Sequence, residues 1–360
     1  MINLQIAACG SRWLSGDWNK DDILVCCEAK LSRNLEFNPF STNASVDDRN
    51  RIRGLFQQAY AGMGEREMLD ASVFDDTMRQ VIIENRMASA DFSSNQPFTC
   101  IFYNPANGNS ACVNDRDHVR IRSVGSTLWE AVEKAQGEEQ ELIDSGMSFA
   151  YRREFGFLTS HYEESGSGMR ISAILHLPAT NLLSMALPLS LKAAVSRVAV
   201  SRAFGPSGGN GYFCNMVQVH VDPPSVAHIN GCVKSLASII DLAVEKERSC
   251  REILKADCAD MEQAHNDIGI SWGILTNMKS VDFDMAGKAI SHAVLAVKCG
   301  LYDGAGRKKI VNALRDAVIQ VMPGHLDEAT GVFDLAIPAG RRRAALLRGV
   351  LRKNTGFGLK

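Results

Sequence analysis

The residue types that could do chemistry gather in three stretches. Val113-Asn114-Asp115-Arg116-Asp117-His118-Val119-Arg120-Ile121 brings acids, arginines and a histidine close together. Gly156-Phe157-Leu158-Thr159-Ser160-His161 leads into Gly166-Ser167-Gly168-Met169-Arg170, a glycine-punctuated turn that delivers an arginine to the strand-like run Ile171 to Pro178. Upstream, Cys26-Cys27-Glu28-Ala29-Lys30-Leu31-Ser32-Arg33-Asn34 carries two further cations. Such cations hold phosphate oxygens, arginine as a bidentate fork and lysine as a point charge. A fourth stretch, Ser207-Gly208-Gly209-Asn210-Gly211, is by itself a weak phosphate-loop signal and reads as a flexible loop.

The elements that must position these residues follow from period and punctuation. Ile23-Leu24-Val25 is a brief strand-like run. Polar, turn-rich segments at 38–50 and 104–110 separate further elements, and Thr99 to Tyr103 with Ala111-Cys112-Val113 reads as a hairpin. Thr127-Leu128-Trp129-Glu130 fits a capping box, in which the hydroxyl takes a free amide and the carboxylate reaches back to the cap; a helix to about Gly146 follows. Arg170 to Leu177 alternates, and Tyr212 to Val221 is a second long strand. Val233, Leu236, Ile240, Ala243, Val244 and Leu254 recur at helix spacing over 232–254. Beyond about 255 strand signals fade, and 257–272, 285–299, 306–321 and 339–352 read as helices, with Gly300 a C-cap. The expected organisation is an arm over 1–20, a mixed domain over 21–254 and an all-helical domain over 255–360.

Bulk properties narrow the field. The chain has 360 residues, 46% hydrophobic and 22% charged, with net charge −2. That balance argues against a dedicated nucleic-acid or membrane-surface binder, and no apolar run approaches the ~20 residues of a membrane span. The first twenty residues show no secretory pattern, so a cytoplasmic protein is expected. The ten cysteines show neither a disulfide framework nor paired zinc-ligand spacing and read as reduced, mostly buried thiols. No metal site is expected from the protein's own side chains.

Taken together, the motifs resemble the guanidino kinases (ATP:guanido phosphotransferases), and within them the bacterial protein-arginine kinases. The resemblance runs from about residue 22 to 352 and is strongest over 113–121, 149–178 and 341–351. It implies an α+β fold, an antiparallel sheet flanked by helices as in the guanidino kinase and glutamine synthetase-like catalytic domain, followed by a helical C-terminal domain. It implies ATP and Mg²⁺, and transfer of the γ-phosphoryl group to a guanidinium nitrogen. A guanidinium is always charged and a poor nucleophile, so carboxylates must hold it and accept its proton while cations neutralise the phosphates.

Several positions depart from the family pattern. Where the phosphate-binding strand reads Ser-Ser-Arg-x-Arg-x-x-Arg-Asn, this chain has Glu28 for the first arginine and Lys30 for the second, and keeps Arg33 and Asn34. Where the motif reads Asn-Glu-Glu-Asp-His-x-Arg, the second Glu, the guanidinium anchor, is Arg116; His118 and Arg120 are retained. Leu-Thr-x-Cys-Pro-Thr-Asn-x-Gly-Thr-Gly-x-Arg becomes Leu158 to Arg170, with His161 for the reactive cysteine and Tyr162-Glu163-Glu164 for Pro-Thr-Asn. Arg-Gly-x-x-Gly-Glu is altered around Ser201-Arg202-Ala203-Phe204-Gly205-Pro206. An Arg-Asp-x-x-Arg-Ala pattern that binds phosphoarginine survives only as Arg343-Ala344. The resemblance thus assigns nucleotide binding to Lys30, Arg33, Arg120 and Arg170. Arg116 and His161 are altered catalytic positions, Glu163 and Glu164 candidate substitute anchors, and Arg343 a phosphoarginine contact. Structural roles stand as alternatives for Arg33, His118, the acidic loop and Arg343. Phosphotransfer is expected to be impaired or lost, the alternative being an active enzyme with a rewired guanidinium site. By resemblance the partners would be a protein substrate, a zinc-binding activator protein, a AAA+ protease and a second copy in a homodimer.

Overall fold

The computed structural model describes residues 22–89, 92, 97–184, 198–203, 213–256, 259–301, 307–329 and 336–355. The expected arm over 1–20 and the glycine-rich stretch 207–211 lie outside them.

The strands are β1 (Leu24–Arg33), β2 (Glu67–Asp70), β3 (Cys100–Tyr103), β4 (Ser110–Val113), β5 (Val119–Gly125), β6 (Tyr151–Arg152), β7 (Gly156–Phe157), β8 (Met169–His176), β9 (Ala199–Arg202) and β10 (Met216–Val221). Eight of them form one sheet in the order β2-β3-β4-β5-β1-β8-β10-β9, every neighbouring pair antiparallel; β6 and β7 make a separate ribbon. The helices are α1 (Val46–Ala61), α2 (Asp76–Glu84), α3 (Leu128–Asp144), α4 (Pro178–Leu182), α5 (Ile229–Leu254), α6 (Glu262–Asn277), α7 (Phe283–Cys299), α8 (Arg307–Gln320), α9 (Pro323–Glu328) and α10 (Ala339–Thr355). The fold class is thus the expected one, an antiparallel sheet flanked by helices with a helical C-terminal region.

Strand alternation decides the two faces of the sheet. Cys27, Ala29 and Leu31 of β1, with Ile121, Ile171, Ala173, Val217 and Val219, bury against α1, α3 and α5. The opposite face carries Glu28, Lys30 and Ser32. Among the described residues it is covered in two places. α2 packs on Ile101, Tyr103 and Cys112, and α7, α8 and α10 pack on Val25, Cys26, Ile174 and Met216. Between these two covers the face stays polar.

Some boundaries differ from the sequence reading. The segment 38–50 contains the start of α1, because Ser45 and Asp48 form a reciprocal capping box. At α3, Thr127 caps Glu130 N–H as expected, but the Glu130 carboxylate reaches Ser126 N–H instead of the cap residue's. The last long strand starts at Met216, since Phe213–Asn215 is a 3₁₀ turn with Cys214 left-handed (φ 55°). Gly300 does cap α7 in the left-handed region (φ 75°), where a glycine carries no Cβ penalty. The eight cysteines among the described residues are all free thiols, seven of them buried. No described helix is long and apolar enough to cross a membrane.

Candidate functional site

Register brings three cations into one row. Arg122 on β5, Lys30 on β1 and Arg170 on β8 are direct cross-strand neighbours. Like charges opposite one another destabilise a sheet unless acids balance them. Glu28, two residues before Lys30 and fully buried, is the first such acid. Arg86 donates from Nε and Nη2 to its two carboxylate oxygens (2.9 and 2.7 Å), and Arg122 holds Oε1 through Nε and Nη2 at 2.7 Å each. Burial alone would raise the Glu28 carboxyl, but Arg86 and Arg122 hold it well below the usual carboxylate range. Arg86 sits just past α2 at φ 62°, and its remaining donors go to Ala203 O and Gln218 Oε1. Asp222 is the second acid. It takes the Arg170 fork with two bonds of 2.7 Å, which raises the Arg170 pKa. Burial pushes Lys30 down from 10.5 to about 7, with Glu28 pulling the other way and Arg86, Arg122 and Arg120 adding to the fall.

The uncovered part of this face is a cleft of about 780 Å³. Lys30, Arg86, Arg116, Arg120, Arg170 and Arg202 line it together with Glu84, Glu164, Asp222 and His220. Asp115 and Asp117 approach Arg120 at 3.6 and 3.8 Å, and Ser32 Oγ accepts from its Nε at 3.5 Å. The cleft is therefore an anion seat in which Arg86, Arg120 and Arg170 already face the protein's own carboxylates.

Behind it lies a closed brace. Asn34 donates to Asp117 Oδ1 (2.8 Å) and to Leu158 O, and accepts from His118 N–H. Asp117 Oδ1 also accepts Ser160 N–H at 2.7 Å. His118 Nδ1 accepts Leu35 N–H at 2.8 Å, so Nε2 carries the proton and donates to Pro39 O at 2.8 Å. Burial lowers the His118 pKa and keeps the ring neutral. His118 is structural.

The other residues singled out in the sequence divide clearly. Lys30, Arg116, Arg120, Arg170 and Glu164 meet in the cleft. Arg33 does not. It is 2% exposed, paired with Glu139, bonded to Ser32 O and Ser167 O, and stacked 3.5 Å over the Phe157 ring. The neighbouring glycine serves this packing, for a Cβ on Gly168 would lie 2.5 Å from Arg33 Nη1. Arg33 is thus a buried arginine whose partners lie outside the cleft lining. His161 is exposed and caps the 3₁₀ turn Tyr162–Glu164 through its backbone, outside the cleft lining. Glu163 lies within that turn. Arg343 is 5% exposed, and its donors serve Val321 O and Val281 O, the ends of segments flanking α8 and α7. Sequence reasoning missed Arg86, Asp222 and His220. Arg122 shared the Arg120 face by strand period, a signal that was available. Arg86 offered none, since it reaches Glu28 from 58 positions away.

Residues 49–201 match the family described as ATP:guanido phosphotransferase, C-terminal catalytic domain. The chain is 26% identical over 355 residues to a protein-arginine kinase of Geobacillus stearothermophilus, covering 96% of this chain and 94% of that one. It is 24% identical over 352 residues to a protein-arginine kinase of Bacillus cereus (strain AH820), covering 95% and 96%. Among solved structures it is similar to the duplicated taurocyamine kinase from Schistosoma mansoni with bound transition state analog components, with TM-score 0.57 and 16% identity. That match covers 69% of this chain but only 36% of the longer kinase, and at this identity it shows a shared fold.

Proposed function

We propose, on the premise that this chain is a divergent relative of the bacterial protein-arginine kinases, that its cleft holds the phosphates of a nucleotide while transfer to an acceptor arginine is impaired or lost. Lys30, Arg120, Arg170 and Arg202 are the phosphate-facing cations in this reading. ATP is the nucleotide, and Mg²⁺ arrives on its phosphates, needing few protein ligands. The chemistry would be attack of a guanidinium nitrogen on the γ-phosphorus, with the proton passing to a carboxylate and ADP leaving.

One observation carries the impaired reading: Arg116 lines the same cleft as Lys30, Arg120 and Arg170. Unit charges ~4 Å apart interact by roughly 4 kcal/mol at a surface-like dielectric. A cation there repels the cationic head that an anchor carboxylate would attract. A second reading rests on Glu164, which lines the cleft too and can supply a substitute anchor. The division at residue 255, supported by strand signals that fade there, and a cytoplasmic location, supported by the absence of a secretory pattern in the first twenty residues, are further parts of the proposal; so are a zinc-binding activator, a AAA+ protease and dimerisation through the helical region, supported by resemblance alone.

The test is incubation with Mg-ATP and an arginine-rich acceptor, reading acid-labile phosphate. The wild type is expected to transfer none, and Arg116→Glu to gain transfer. Wild-type transfer that Glu164→Gln abolishes would overturn the impaired reading in favour of the rewired site.

A further inference from the structure

Arg86 occupies a backbone position that arginine does not favour. Asn85 caps α2, and Arg86 follows it at φ 62°, with its N–H on Ile83 O (2.9 Å) and Met87 N–H on Ile82 O (3.1 Å). Glycine fills such a helix end without a Cβ penalty, whereas a residue with a side chain is strained there. Strain of this kind gathers at working sites. What the side chain reaches accounts for it. Nε and Nη2 take the two oxygens of Glu28, Nη2 also reaches Gln218 Oε1 on β10, and Nη1 reaches Ala203 O beside Arg202. The turn is pinned to the helical region as well, since Glu84, two residues earlier, accepts the Gly324 and His325 N–H groups of α9 at 2.8 and 3.1 Å. Glu28 is the difficulty that Arg86 answers. It is fully buried beneath the anion seat, and its Oε2 lies 4.0 Å from Lys30 Nζ. A carboxylate there opposes any phosphate that Lys30 attracts. Arg122 bonds Oε1, whereas Arg86 Nη2 takes Oε2, the oxygen nearer Lys30, at 2.7 Å.

We propose that Arg86 is a positioning residue of the nucleotide site, which acts through Glu28: it cancels the acid under the seat, so that Lys30 meets phosphate instead of its own carboxylate. The inference rests on the proposed function for its ligand, the phosphates of a nucleotide. The bond to Ala203 O serves the same end, because it holds the chain just past β9, whose last residue is Arg202. The charged and titratable groups around Lys30 are Glu28 on its own strand, Arg120 and Arg122 on β5, Arg170 on β8 with Asp222, His220 on β10, and Arg86. Arg86 comes from a helix end, the others from the sheet and its margin. With Arg86 removed, Glu28 holds the Lys30 proton more strongly, and the amine titrates above its present value of about 7.

The test is calorimetry of Mg-ADP on the full chain. Arg86→Met is expected to weaken binding by about tenfold or more. Adding Glu28→Gln to it is expected to restore affinity to within about threefold of wild type, because acid and counter-charge leave together. An arginine with a purely structural role would leave the affinity of the folded protein unchanged, or lower it in a way that Glu28→Gln does not repair; either result overturns the proposal. Should Arg86→Met fold poorly, Glu28→Gln alone, which keeps Arg86, is expected to bind Mg-ADP about threefold more tightly than wild type, and equal or weaker binding overturns the proposal. A second readout needs no nucleotide. In protein carrying carbon-13 at lysine Cε, with the signal assigned through Lys30→Met, the Lys30 amine is expected to titrate at about 7 in wild type, about one pH unit higher in Arg86→Met and lower in Glu28→Gln. Coincident titrations overturn the proposal. Failure of the wild type to bind Mg-ADP counts against the nucleotide cleft itself, and the lysine titrations then decide separately whether Arg86 governs Lys30 through Glu28.

Discussion

The brace, at the end of β1 and the start of β5, and the cleft, along the same strands, treat polar groups in opposite ways. In the brace, Asn34, Asp117 and His118 bond mostly to backbone that would otherwise be buried without partners. In the cleft, charged side chains bond chiefly to other charged side chains: Arg86 and Arg122 to Glu28, and Arg170 to Asp222. The first arrangement is set by the fold and tolerates no exchange, because an orphaned buried donor or acceptor costs about 1–3 kcal/mol. The second is a matter of charge balance, and a new acid beside an old arginine keeps the sum near zero. Departures from the guanidino-kinase pattern thus fall at Lys30 and Arg116 in the cleft and at Glu28 beneath it, as well as at His161 outside its lining, while Asn34, Asp117 and His118 of the brace stay as the motifs have them.

Breaking the brace should give the largest effect. His118→Ala strands Leu35 N–H and Pro39 O and leaves a void, so a loss of about 3 kcal/mol is expected in urea unfolding. Nucleotide affinity of the protein that remains folded should not move. If it does, the two regions are not separable.

Opening the cleft should act the other way. Asp222→Asn removes a charge from the Arg170 fork at the half-exposed rim. Phosphate then no longer competes with a carboxylate, and nucleotide should bind up to about tenfold tighter by calorimetry, with melting changed little. Weaker binding would mean that Asp222 positions Arg170 for the ligand instead of occupying it.

The smallest effect is one of pH. Lys30 is charged below about 7 and neutral above it. A polyanion prefers the charged form, so affinity should fall, by roughly threefold to tenfold, as pH rises from 6 to 8.5. Glu28, Arg86, Arg120 and Arg122 surround the amine. Lys30→Met should flatten the difference once titration of the ligand itself is subtracted. For the ligand-free protein the sign reverses. Between about 7 and 10.5 the unfolded chain holds the extra proton, so this group's contribution makes stability rise with pH. A wild-type affinity profile parallel to that of the variant would remove Lys30 from the anion seat.

Local pattern carried much of the fold. The alternation from Arg170 onward, the helix spacing over 232–254 and the glycine after α7 all read correctly because each is a short-range rule. The missed start of α1 lay in a capping box spelled with Asp48, inside a segment whose polar composition resembled a turn. Within the site, the sequence picked out Lys30, Arg116, Arg120, Arg170 and Glu164, which the cleft brings together. It could not separate Arg33 from them, since an arginine that stacks under a ring and one that faces a phosphate look alike in one dimension.

By itself, then, the chain's order of residues determined several strands and helices, among them β8, α3, α5 and α7, since those follow from periods of two and 3.6. Only the tertiary structure decided that Glu28 is neutralised by Arg86, that Asp222 occupies the Arg170 fork, and that Arg343 serves carbonyls. Each of these pairs joins residues far apart in the chain, and electrostatic energy depends on their distance and burial in space, which spacing along the sequence does not encode.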